Sequence, residues 1–168
     1  MMEIRMQPLH IKKAEMKDLP RILEIYAYAR NFMKETGNAS QWKDDFPPEH
    51  LLVNDIEDGN LYVMKEDDTI HAVFAFLMGE EPTYSVIEQG GWLSDTEYGT
   101  LHRIAKDGAV YGIMDRIVLF CSQRIAHLRI DTHRDNHVMQ HLIRKNGFLE
   151  CGIIHVADGS PRIAYEKI

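Results

Sequence analysis

Positive charge is in short supply. Lysine and arginine number 19 against 26 acids, a formal net charge of −7. No basic stripe is present, which argues against a general nucleic-acid binder, while the acidic surplus is compatible with a cationic partner such as an amine. Long apolar runs are missing too. The longest, Ala72 to Met78, is far too short to span a bilayer, so no membrane partner is expected. The opening residues Met1-Met2-Glu3-Ile4-Arg5 lack the apolar core of a signal peptide. Cysteine is scarce: Cys121 and Cys151 are far apart and form no metal-like pair. Both sit among apolar neighbours and read as reduced core residues of a cytoplasmic protein. No repeat, low-complexity tract or linker breaks the chain, so its 168 residues read as one domain.

What is present is a legible alternation of elements. Leu9 to Ala14 reads as a strand. Asp18 and Pro20 open a helix whose apolar stripe is Ile22, Leu23, Ile25, Tyr26, Ala29, Phe32 and Met33, and Gly37-Asn38 ends it. The loop Gln41 to Pro48 carries two aromatics, and a short helix from about Glu49 to Asp58 follows. Leu61 to Met64 and Ile70 to Met78 read as paired strands, and the absence of polar alternation from Ala72 to Met78 marks the second as central. Glu81 to Glu97 is too long for a hairpin loop and is expected to hold a short helix near Tyr84 to Glu88; connections of that length are often functional. A strand over Tyr98 to Ala105, a glycine-containing turn, a helix over Gly112 to Arg124 and a terminal hairpin of Cys151 to Val156 with Ile163 to Ile168 complete a mixed α/β order.

The densest signal lies between Leu128 and Phe148, L-R-I-D-T-H-R-D-N-H-V-M-Q-H-L-I-R-K-N-G-F. Leu128 and Ile130 alternate as in a half-buried strand. Asp135 and Asn136 suit a helix start. Val138, Met139, Leu142 and Ile143 share a helical face. Arg144 and Lys145 stand at the negative end of the helix dipole, and Asn146-Gly147 supplies a left-handed stop. With Asn136 eleven residues before Gly147-Phe148, the segment resembles N-x-x-A-x-x-x-Y-x-x-x-G-F of the GNAT superfamily of N-acetyltransferases. Gly112-Ile113-Met114 resembles the G-x-G/A end of that family's R/Q-x-x-G-x-G/A motif, on a strand-to-helix turn of the kind that aims N–H groups at an anion.

The resemblance implies an α/β (mixed α+β) fold, with a central, mostly antiparallel twisted sheet flanked by helices and a core of about residues 9–168. It implies acetyl-CoA as acyl donor, no metal, and an acceptor that is a small-molecule or peptide amine; a homodimer is compatible with it. Ile104 and Ala105 would run along the pantetheine arm. The turn through Gly108, Val110, Tyr111, Gly112, Ile113 and Met114 would hold the pyrophosphate, with Asn136 and Met139 beside it. The acceptor would meet Trp42, Asp45 and Tyr98. His102 has the right chemistry to take a proton from an ammonium near neutral pH; Glu97, acting through water, is the other candidate base. Residue by residue, Asn136 also reads as a plain helix cap and His102 as a sheet histidine. His133, His137 and His141, spaced by four, read as a solvated polar face rather than a metal site.

Three positions depart from the family pattern. Ala109 stands at the R/Q position, Met114 at the second glycine, and Ile143 at the frequent general-acid tyrosine. The turn after Ala105 also looks short. A non-catalytic CoA-binding protein of the same fold and an unrelated phosphate-binding α/β module therefore remain alternatives.

Overall fold

An apolar run without alternation belongs inside a sheet, and Ala72 to Met78 lies there. The computed structural model describes residues 8–168; the opening segment read above for signal-peptide character lies outside them. In chain order the elements are β1 (Leu9–Lys13), α1 (Leu19–Glu35), α2 (Glu49–Glu57), β2 (Leu61–Glu66), β3 (Thr69–Met78), β4 (Gly99–Lys106), α3 (Ile113–Ser122), β5 (Leu128–Thr132), α4 (His137–Lys145), β6 (Leu149–His155) and β7 (Pro161–Lys167). The sheet order is β1-β2-β3-β4-β5-β7-β6. Every pairing is antiparallel except β4 with β5.

Each face of the sheet has its own apolar layer. Ile22, Ile25, Tyr26 and Ala29 of α1 pack with Leu52 and Ile56 of α2 over Val63, Val73, Ala75 and Ala105. Opposite, Ile113, Ile117 and Cys121 of α3, with Ile143 of α4, cover Phe74, Leu101, Leu128 and Ile130. Both cysteines are free and buried. Burial pushes the Cys121 thiol up to about 12 and the Cys151 thiol to about 11, so neither is a ready nucleophile. Among the described residues no helix is long and apolar enough to cross a membrane.

Two breaks in the sheet matter most. First, β4 carries one residue too many against β3: Val73 faces Ala105 and Ala75 faces His102, so Phe74 alone opposes both Arg103 and Ile104. Arg103 takes φ 52°, a left-handed geometry expensive for a non-glycine residue. Its guanidinium forks onto Asp55 of α2, Nε and Nη2 each donating at 3.0 Å, and its carbonyl accepts from Tyr26 Oη at 2.7 Å. These bonds hold the bulge. Second, β4 pairs with β5 only at Gly99–Leu128 and Thr100–Arg129. Beyond Thr100 the two strands part, leaving backbone groups that face the gap without a ladder partner.

The connection between β3 and β4 differs from expectation. It holds a 3-10 turn at Pro82–Tyr84 and no helix through Glu88. The bond such a helix needs is taken elsewhere: Tyr84 O accepts from Trp92 Nε1 at 2.9 Å, and Glu88 N donates to Ile153 O at 2.8 Å. Further along, the Arg129 guanidinium sits between the Trp92 and Tyr98 rings at 3.9 and 4.0 Å. Buried Glu166 accepts from Leu93 N at 2.7 Å and bonds the His127 ring. The segment is thus pinned across the narrow end of the sheet. Val138, expected on the buried face of α4, is exposed. His133, expected to be solvated, is buried and accepts from Asp135 N at 3.0 Å, and burial lowers its pKa. His137 and His141 are exposed.

Candidate active site

A cavity of about 480 Å³ opens where β4 and β5 part. His102 and Ile104 reach it from β4, Asp131 and Thr132 from β5, Asn136 and Met139 from the start of α4, and Trp42 and Asp45 from the loop after α1. Six of the expected site residues (Trp42, Asp45, His102, Ile104, Asn136 and Met139) therefore meet in one place.

His102 has an acidic partner that sequence reading missed. Its Nε2 lies 3.2 Å from Glu81 Oε2. That hydrogen bond, more than any other cause, holds the Glu81 carboxyl down at about 2, so Glu81 is ionised and acts as acceptor. In the neutral tautomer that this bond favours, Nε2 carries the proton and Nδ1 keeps its lone pair. Among the described residues no hydrogen bond engages Nδ1. Glu81 is itself fixed: its N–H donates to Tyr98 Oη at 2.8 Å, and Oε1 accepts from Thr83 N and Oγ1 at 3.3 and 3.0 Å. This places Tyr98 behind Glu81 rather than on the cavity wall. Glu97 is exposed and outside the cavity lining, so it is not beside His102. The only sequence signal for Glu81 was the unusual length of its connection.

Asn136 caps α4, Oδ1 accepting from Met139 N at 3.0 Å, while Nδ2 donates to Gln41 Oε1 at 3.0 Å. Its side chain ties the aromatic loop to the helix. Asp131, also missed, accepts from Tyr84 Oη at 2.6 Å. Ile143, where the family's tyrosine would stand, is fully buried.

The glycine turn lies outside this cavity's lining. Asp107 braces it, bonding Arg21 Nη2 at 2.7 Å, His71 Nδ1 at 2.8 Å and Ala109 N at 2.9 Å. Gly112, at φ 74°, precedes α3. Among the described residues the N–H groups from Val110 to Met114 have no protein acceptor. A Cβ at Gly112 would meet nothing within 4 Å, whereas one at Gly108 would overlap Tyr28. Tyr111 is 95% exposed, and Ala105, Ile113 and Met114 are buried.

An acetyltransferase of the GNAT family from Streptococcus agalactiae superposes with a TM-score of 0.87 at 31% sequence identity, over 96% of each chain. This chain belongs to the GNAT family of acetyltransferases. Two more distant GNAT-fold structures share the fold alone. One is the ribosomal-protein-S18-alanine N-acetyltransferase of Escherichia coli (TM-score 0.58, 16% identity, 95% of this chain and 93% of that one). The other is an aminoglycoside N(6′)acetyltransferase of Legionella pneumophila (TM-score 0.64, 15% identity, 99% and 94%). No family model matches this GNAT chain, and no curated protein does. The sheet with its split between β4 and β5 is thus the GNAT sheet, and the bulge at Arg103 lies beside the split.

Proposed function

We propose that the protein transfers an acetyl group from acetyl-CoA to a primary amine of a small molecule or peptide by direct attack. The observation that carries this reading is the meeting, in one cavity, of the β4 bulge with a histidine whose Nδ1 is left free by an ionised partner. The amine nitrogen bonds the thioester carbonyl carbon, the C–S bond breaks, and CoA leaves as the thiolate. His102 Nδ1 takes the proton the ammonium must lose before attack, and the second N–H proton, shed as the tetrahedral adduct collapses, passes to the departing thiolate. Backbone N–H groups near Ile104 and Ala105, on the stretch of β4 that has parted from β5, polarise the carbonyl as oxyanion donors do. The unpartnered N–H groups from Val110 to Met114 suit a pyrophosphate at the helix N-terminus. These are backbone donors, so Ala109 and Met114 supply them as well as the family's residues. Two buried free cysteines agree with a cytoplasmic setting.

Acetyl-CoA at one hundred times its dissociation constant is expected to stabilise the fold by about 2.7 kcal/mol. A melting temperature unmoved by millimolar acetyl-CoA would count against the donor. Thiol release across a panel of amines then tests turnover. Buried Ile143 favours one other reading, a CoA-binding protein without turnover, which predicts the thermal shift and no thiol release with any amine.

Gly112→Val is expected to weaken coenzyme A binding by about tenfold or more, some 1.4 kcal/mol. A branched Cβ would fill the space in which the pyrophosphate must lie and would strain a left-handed φ. Circular dichroism separates this from unfolding, and His137→Ala, on an exposed side chain, is the control. A folded Gly112→Val protein with parental affinity would make the turn purely structural.

A further inference from the structure

Arg162 of β7 is 7% exposed and lines the cavity that holds His102. Its bonds go to neutral carbonyls: Nη1 donates to Pro161 O at 2.9 Å and Nη2 to Gln41 O at 3.4 Å. Among the described residues it forms no ion pair and its Nε has no acceptor. The other buried arginine, Arg129, is paired with Glu166, and half-buried Arg103 with Asp55. Burial lowers its pKa and outweighs Asp131 and Asp158, which act on the guanidinium from a distance without contacting it; a buried guanidinium without a contact partner is costly. Such a group facing a cavity is suited to an anion brought by a ligand.

The cavity also limits which anion. Asp45, Glu81, Asp131 and Asp158 line it too, and a dianionic phosphate would be repelled by so many carboxylates. A planar, singly charged carboxylate matches the guanidinium fork, and the surrounding acids suit an ammonium on the same molecule. Asp131 pairs with Ala164 across β5 and β7, which puts Asp131 and Arg162 on one face of neighbouring strands. His102 reaches the same space from β4.

We infer that the acceptor is an amino acid, its carboxylate held by Arg162 and its amine presented to His102 among Glu81 and Asp131. The fate of the amine rests on the acyl-transfer reading above, whereas the carboxylate site does not.

The test compares L-phenylalanine, L-methionine, L-glutamate and L-lysine with their α-carboxamides, by thiol release and by calorimetry without donor. The wild-type protein should prefer at least one acid over its amide by about tenfold or more in kcat/KM, carried by KM, as expected for a lost charge-assisted bond. Arg162→Met should bring that ratio to near unity, and Arg162→Lys should restore part of it. An acetyl-CoA thermal shift retained by both variants certifies the fold. Amides turned over as well as acids by the wild type would overturn the inference and leave acyl transfer standing. A preference that survives in Arg162→Met would also overturn it. If nothing turns over, calorimetry decides: an acid bound by the wild type and not by Arg162→Met supports the carboxylate site while acyl transfer fails, and no binding of any acid overturns it.

Discussion

His102→Gln is expected to lower kcat/KM at pH 7 by about a hundredfold or more, the range in which a positioned general base acts. Glutamine keeps a polar side chain near Glu81 but offers no basic nitrogen. The deficit should shrink as pH rises, because an amine already deprotonated in solution needs no base. The acid limb of the parent profile does not come from Glu81. Glu81 titrates near 2, so its carboxylate stays ionised throughout the working range, and the stability it lends is lost only as pH falls from its ordinary value of 4.5 toward 2. Rates measured from pH 6 to 10 check this, and a variant profile parallel to the parent's would remove His102 from proton transfer.

Asp55→Ala should be the most damaging single change away from the cavity. It leaves the half-buried Arg103 guanidinium without its carboxylate, and breaking a buried pair costs about 3–5 kcal/mol. For a domain of this size that lowers the melting temperature by roughly 10 °C. Burial is the main influence on Asp55 and raises its pKa despite Arg103. Deprotonating it is therefore harder in the fold than in the unfolded chain, and its contribution declines as pH rises through the carboxylate range. The pair is weak as a net stabiliser but costly to halve, so Asp55→Ala with Arg103→Met should recover part of the loss. Neither double variant nor single should turn over normally, because both release the bulge. Melting curves together with thiol release check this, and a single variant melting within about 2 °C of the parent would mean that the pair does not brace β4.

Much of this architecture was legible in the chain because local and global preferences agree. The β3 run has no polar alternation and is central. Asn136 and Gly147 punctuate α4 as capping chemistry requires, and the element order survives intact. The partnership of Glu81 with His102 was hidden because it joins residues 21 apart through an irregular segment, whose course is set by Trp92, Arg129 and Glu166 rather than by any period. The Arg103 bulge was equally silent: strand periodicity assumes one residue per rung. Val138 failed because α4 presents a narrower face to the sheet than four apolar positions imply. Arg162 looked like any charged residue in a terminal strand until β5 and β7 were paired.

The split in the sheet also divides it into two arms. One carries His102, the other Asp131 and Arg162, and two residue pairs at Gly99–Leu128 and Thr100–Arg129 join them. The span between His102 and the opposite wall is therefore set by how the arms meet at that joint, as with a pair of calipers. Gly99 sits at that joint, where an added Cβ would overlap the Phe76 ring and press on Ile125. If the cavity takes the proposed acceptor, the length that fits is gauged at a buried glycine outside the cavity lining, and substitutions there are expected to change selectivity without replacing any cavity-lining side chain.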